Sequence, residues 1–158
     1  MFKKFLTSMF AVGALVLAGC ASNGDAGAAG DSASASGNGG ADVFGKPLYL
    51  RGEMNDWAAK PEYLIQKVED GVYMAKGELK VDYAPYKFKF ADVAWTPGTN
   101  FGYVEAPGVF TIGGDPVVVT PNSKFEEVKV TPDADGMFEF YLDVRGEKPV
   151  VYVKPAAK

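Results

Sequence analysis

An all-β, antiparallel sandwich is the fold this sequence predicts, and three observations predict it. Apolar and polar residues alternate with period two in one segment after another. Glycine, proline and Asp-Gly steps break those segments every few residues. No stretch keeps a 3.6-residue apolar period over three turns, so no long helix competes. Short strands separated by such breaks pack as two layers around one core.

The elements follow in order. Leu48 and Leu50 alternate with Tyr49 and Arg51, which predicts a first strand. Residues 62–68 predict a second, and Asp70-Gly71 after it is a hairpin signal. Tyr73, Ala75, Gly77 and Leu79 share one face of the next strand, against Val72, Met74, Lys76 and Glu78. Tyr86, Phe88 and Phe90 then alternate with Lys87 and Lys89. Pro97-Gly98-Thr99-Asn100 reads as a loop. Residues 108–112, 116–120, 126–130 and 149–153 predict further strands. Before the last of these, Phe138, Phe140, Leu142 and Val144 alternate with Glu139, Tyr141 and Asp143. Asp133-Ala134-Asp135-Gly136 opens like a calcium loop, but the later ligands of an EF-hand are missing, so it reads as a hairpin turn.

The N-terminus has a different character. Lys3 and Lys4 precede a short apolar run, Phe10–Ala18, and then Leu17-Ala18-Gly19-Cys20. A basic start, an apolar core too short to span a bilayer as a helix, and small residues before a cut site describe a secretory signal peptide over 1–19. Leu17–Cys20 also resembles the lipobox of bacterial lipoproteins. The resemblance implies cleavage before Cys20 and acylation of its thiol and new amine, with palmitate-type chains. Residue 21 is Ala rather than the Asp that resembles an inner-membrane retention signal, which implies the outer membrane of a bacterial envelope. Several acyl chains anchor where one would not, at about 0.8 kcal/mol per buried CH₂. Residues 21–42 consist of seven Ala, six Gly, four Ser, three Asp and two Asn. Nothing there can bury enough surface to offset the entropy of ordering, so 20–42 reads as a lipidated cysteine plus a flexible linker of about 25 Å span. The folded domain is then 43–158.

Composition excludes most chemistry. The chain has 158 residues, no histidine, one cysteine and a net charge of −4. There is accordingly no Ser-His-Asp or Cys-His machinery, no His-ligated metal, no intrachain disulfide and no thiolate-rich cluster. Carboxylates remain, but no pair stands out for two-carboxylate glycoside hydrolysis. Glu126 and Glu127, in an alternating strand, would point to opposite faces. Without a basic run or stripe, nucleic acid is not an expected partner. The domain is expected to be non-enzymatic and to need no cofactor.

Two tryptophans offer something else. Trp57 follows a strand and the turn Gly52-Glu53-Met54-Asn55-Asp56, while Trp95 follows the strand 86–91 and precedes a loop. Indoles at strand ends can stack on the apolar C–H face of a pyranose, with flanking Asn, Asp or Lys side chains such as Asn55 bonding its hydroxyls. The ordered set Leu48 to Trp57, Asp70-Gly71-Val72-Tyr73, Tyr86-Lys87-Phe88 and Trp95 resembles the glycogen-binding modules of the early-set immunoglobulin-like superfamily. Those modules accompany branching and debranching enzymes and the β-subunit of AMP-activated protein kinase. The run Tyr86–Trp95 with Asn100-Phe101-Gly102 also resembles accessory N-terminal modules of bacterial pullulanases, several of them lipoproteins. The similarity covers about residues 46–103.

The resemblance implies an immunoglobulin-like (early-set) sandwich in which Trp57 and Trp95 stack on glucose. It also implies that Lys87 bonds sugar hydroxyls and that Asn100 is the nearest counterpart of a sugar-contacting asparagine. Period-two alternation puts Lys89 on the face of Lys87. The expected function is a membrane-anchored, non-catalytic module for α-1,4-glucans (glycogen, starch, maltodextrin) or another oligosaccharide, beside a separate glycoside hydrolase or uptake protein. The competing expectation is a structural or protein-interaction envelope lipoprotein, its tryptophans in the core. Exposure of the two indoles on one end of the sandwich, or not, separates the two.

Overall fold

A computed structural model describes residues 44–158; the signal segment 1–19, Cys20 and the linker 21–42 lie outside the described residues. Ten strands run through the described part: β1 Tyr49–Gly52, β2 Gln66–Glu69, β3 Val72–Leu79, β4 Tyr86–Ala91, β5 Asn100–Tyr103, β6 Val109–Thr111, β7 Val117–Thr120, β8 Val128–Thr131, β9 Gly136–Asp143 and β10 Val150–Pro155. Three single 3₁₀ turns, Glu53–Asn55, Pro61–Tyr63 and Val81–Tyr83, complete the elements. The all-β sandwich expectation holds.

Alternation decides what each layer buries. One layer runs β2-β3-β9-β10-β7; in the other, β4 carries β1 on one edge and β5 and β8 on the other, with β6 outside β8. Tyr73, Ala75 and Leu79 of β3 and Phe138, Phe140 and Leu142 of β9 face inward from the first layer. Leu50, Phe88, Phe90, Val128 and Val130 face them from the second. The Phe88 and Phe140 rings meet edge to face between the layers, 5.0 Å apart at 76°. Each large side chain so buried contributes about 1.5–3 kcal/mol.

Four details depart from the sequence reading. A strand, β5, forms where a loop ended the expectation: Asn100 and Phe101 pair with Ala91 and Phe90, and Gly102 and Tyr103 with Thr120 and Val119. Asn100 and Gly102 interrupt the strand preference of Phe101 and Tyr103, so pairing with two neighbours holds this strand. Gly102 is required there, since a Cβ would collide with the Glu126 carbonyl and Ser123. Secondly, β6 and β8 pair in parallel, Val109 opposite Lys129 and Phe110 opposite Val130, so the sandwich is not wholly antiparallel. The intervening β7 pairs with β5 and β10, so β6 and β8 are not joined as a hairpin. Thirdly, residues 61–63 turn as a 3₁₀ segment started by Pro61, and only Gln66–Glu69 extend. Finally, Glu126 and Glu127 precede β8 rather than belonging to it.

Candidate functional site

The two tryptophans stand on loops at one end of the sandwich, and each loop is built to hold its indole. After β1, Gly52 runs so close to β4 that a Cβ would press on the Lys87 carbonyl and the Met54 sulfur. Buried Asn55 then folds the turn back: its Oδ1 accepts the Gly52 N–H (2.9 Å), and its Nδ2 donates to the Leu50 carbonyl (2.8 Å). The Trp57 N–H closes the turn on the Gly52 carbonyl at 2.9 Å. In the second loop, Asp92 accepts the Thr96 N–H and hydroxyl, both at 2.7 Å, and the Lys46 ammonium at 3.3 Å. Burial opposes ionisation of Asp92, but those donors outweigh it and hold its carboxyl below the ordinary range.

Backbone strain singles out the same places. The non-glycine residues with positive φ among the described residues are Asp56 (53°), Trp57 (61°) and Trp95 (57°). A bulky residue in the left-handed region costs on the order of 1–2 kcal/mol, so both indoles sit where local preference alone would not put them.

Arg51 explains how they are held. Its Nε donates to the Trp57 carbonyl (2.7 Å), and Nη1 donates to the carbonyls of Asp92 (2.9 Å) and Val93 (3.1 Å). The guanidinium carbon lies 3.6 Å from the Trp95 ring centroid. One buried side chain thus ties both loops together and backs one face of the second indole. Burial lowers the Arg51 pKa from its ordinary value, with Asp92 opposing.

The result is a bent aromatic surface. Trp57 and Trp95 are half-buried, with ring centroids 6.1 Å apart and planes at 51°. They line a cleft of about 330 Å³ together with Lys89, Asn100, Lys124, Phe125 and Glu127. Lys89, the register partner of Arg51, is 3% exposed and donates to the Ser123 hydroxyl (2.7 Å) and the Lys124 carbonyl (3.3 Å). Burial lowers its pKa, while Glu126 and Glu127 oppose the shift. Asn100 is 4% exposed, and its Oδ1 is enclosed with no hydrogen-bond partner among the described residues. Phe125 is 80% exposed on a loop organised by Glu126. That carboxylate accepts the Ser123 hydroxyl (2.7 Å) and the N–H groups of Lys124 (2.7 Å) and Phe125 (3.0 Å), which lowers its pKa to about 2.

Of the residues expected from sequence, Trp57, Trp95, Lys89 and Asn100 come together. Two do not. Lys87 is half-exposed outside the cleft, because two residues along an extended strand carry a side chain past the loops that cover Lys89. Asn55 is inward, its amide engaged by the backbone, so it shapes the turn and is not offered to a ligand. Sequence reading also missed Arg51 and Phe125. The signal for Phe125 was a large aromatic between Lys124 and Glu126-Glu127, outside any alternating face.

Fold and site together define a β-sandwich domain with an aromatic cleft at one end. The chain matches no family model and no curated protein. It is similar to the solved structure described as "Ligand induced structure of AmyP-SBD", with a TM-score of 0.52 and 20% identity over 92% of this chain and 97% of that one. At that identity the likeness speaks for the fold.

Proposed function

We propose that this protein is a non-catalytic module that binds α-1,4-glucan through the Trp57–Trp95 cleft. The observation that carries the reading is the placing of both indoles, in strained backbone, on one cleft with an unpartnered buried amide beside them. A sugar ring presents apolar C–H groups to an indole and hydroxyls at its edge. The cleft-lining side chains of Asn100, through its amide N–H groups, and of Lys89, through its uncommitted N–H, would meet those hydroxyls, and Phe125 would close the opposite side. An α-1,4 chain turns between successive units, so rings tilted by 51° suit it better than a coplanar pair would. The similar fold of AmyP-SBD, a starch-binding domain, supports the same ligand class, as does the resemblance to glycogen-binding and pullulanase accessory modules of immunoglobulin-like fold.

The wider role belongs to the same proposal. Acylated Cys20 would anchor the chain in the outer membrane, and the linker 21–42 would let the domain reach glucan near a separate hydrolase or uptake protein. A shallow two-indole site binds at a Kd of about 10⁻⁵–10⁻³ M, and many copies on one membrane raise the avidity.

Affinity electrophoresis in glycogen or amylopectin gels tests this. Removing about 80 Å² of stacked indole at about 25 cal/mol/Å² costs about 2 kcal/mol, or roughly thirtyfold in Kd. Retardation of the wild type that is largely lost in Trp57→Ala and Trp95→Ala is the expected result. Unretarded migration of the folded wild type would overturn the reading.

A further inference from the structure

Trp57 lines a second depression as well as the tryptophan cleft. This groove, about 760 Å³, is bounded on one side by the turn carrying Glu53, Asp56 and Trp57, and on the other by the turn Val81–Tyr83. Glu78 and Lys80, at the end of β3, line it between them. We infer that it continues the glucan site, so that one long chain runs from the Phe125 side over Trp95 and Trp57 to Tyr83.

Three observations on this chain point there, and the inference rests on the function proposed above. Tyr83 is 71% exposed, a large aromatic surface left in water, and nothing in the core requires it. Its turn is fixed from outside the groove: the Asp135 carboxylate accepts the Val81 N–H at 2.8 Å, and the Tyr83 N–H bonds the Lys80 carbonyl at 3.2 Å. The ring is thus presented on a held backbone and does not depend on its own packing. The polar lining is the second point. Glu53, Asp56 and Glu78 outnumber Lys80, so the groove repels anions, while carboxylates accept hydroxyl hydrogen bonds strongly. Glu53 has already given one oxygen to the Lys87 N–H (2.8 Å), which fixes its orientation toward the turn. Aromatic rings with carboxylates beside them suit a neutral polyhydroxyl chain. Adjacency is the third point, because Trp57 lines both depressions and an oligosaccharide seated on its ring reaches toward each of them.

The test is isothermal titration of the full domain with linear α-1,4-linked glucose chains of three and of seven units. One added aromatic contact gives about a fivefold gain in affinity. The wild type should bind the seven-unit chain at least that much more tightly than the three-unit chain. Tyr83→Ala should remove most of this advantage while leaving three-unit binding unchanged, and Tyr83→Phe should keep it. Tyr83 is surface-exposed, so the variant retains the core; thermal unfolding confirms that. Equal wild-type affinities for the two lengths, or an unchanged length dependence in Tyr83→Ala, would overturn the extended groove and leave the tryptophan cleft standing. Absence of wild-type binding to either chain would overturn both.

Discussion

Among the described residues, two aromatic pairs have a cation beside them, and they are not alike. On the outer face of the β3-β9-β10 layer, Tyr141 and Tyr152 stack with centroids 4.7 Å apart and planes at 10°. The Lys154 ammonium lies 5.2 and 5.0 Å from their rings. They are direct register partners on extended strands, so ordinary strand geometry brings them together. Glu139 accepts the Tyr141 hydroxyl at 2.6 Å and pairs with Lys76 at 3.2 Å. Hydrogen bonding to Glu139, then burial, pushes the Tyr141 pKa up to about 12. The pair satisfies itself.

At the end of the sandwich, Trp57 and Trp95 are tilted, in left-handed backbone, and beside an amide oxygen without a partner. Aromatic proximity to a cation therefore does not mark a site. Strain, an open cleft and an unpartnered polar atom are what distinguish the tryptophan pair, and they are the features on which its proposed role rests.

Breaking Arg51 gives the largest contrast. Arg51→Met leaves three carbonyls without their charged donor and uncovers one face of Trp95. We expect a loss of roughly 3 kcal/mol in urea unfolding. Retention on glycogen gels should fall at least tenfold even under conditions where the variant stays folded. The same stability with unchanged retention would mean that the two loops do not depend on their common tie.

Breaking the tyrosine pair should do the reverse. Tyr152→Ala removes one ring of a self-contained stack, at a cost of about 1 kcal/mol in the same unfolding measurement. Glucan retention should stay at the wild-type level. Lost retention would make the outer face part of the binding surface and erase the contrast drawn between the two pairs.

The smallest effect is local and depends on pH. Glu126 ionises in the folded state at about 2, below its ordinary value of 4.5. A carboxylate with a depressed folded pKa contributes fully above the unfolded value and loses that contribution as pH falls through the folded one. The amide resonances of Lys124 and Phe125 in the folded protein should therefore titrate with a midpoint near pH 2, as their acceptor is protonated, and stay nearly constant around pH 4.5. Glu126→Gln should remove that titration. Persistence of the shift in the variant would assign it to another acid.

Much of the fold was legible because period-two alternation is a local property. Phe88 and Phe140 announce themselves as inward by the charged or polar residues on either side, and they do meet in the core. The short strand Asn100–Tyr103 was not legible, since Asn100 and Gly102 interrupt the strand preference of Phe101 and Tyr103, and its two halves pair with different strands. The site divides in the same way. Both tryptophans were visible as large aromatics next to turns. The choice of Lys89 over Lys87 was not, because alternation assigns both to one face and only the covering loops distinguish them.

By itself the sequence determined an all-β sandwich, its main strands and the two tryptophans, through alternation and turn residues that act within a few positions. Tertiary structure alone decided that the indoles share a cleft, that Arg51 ties their loops, and that Phe125 and Asn100 join them. Those contacts close between segments dozens of residues apart, as with Lys89 and Ser123, 34 positions apart, and no local pattern records which loops will meet.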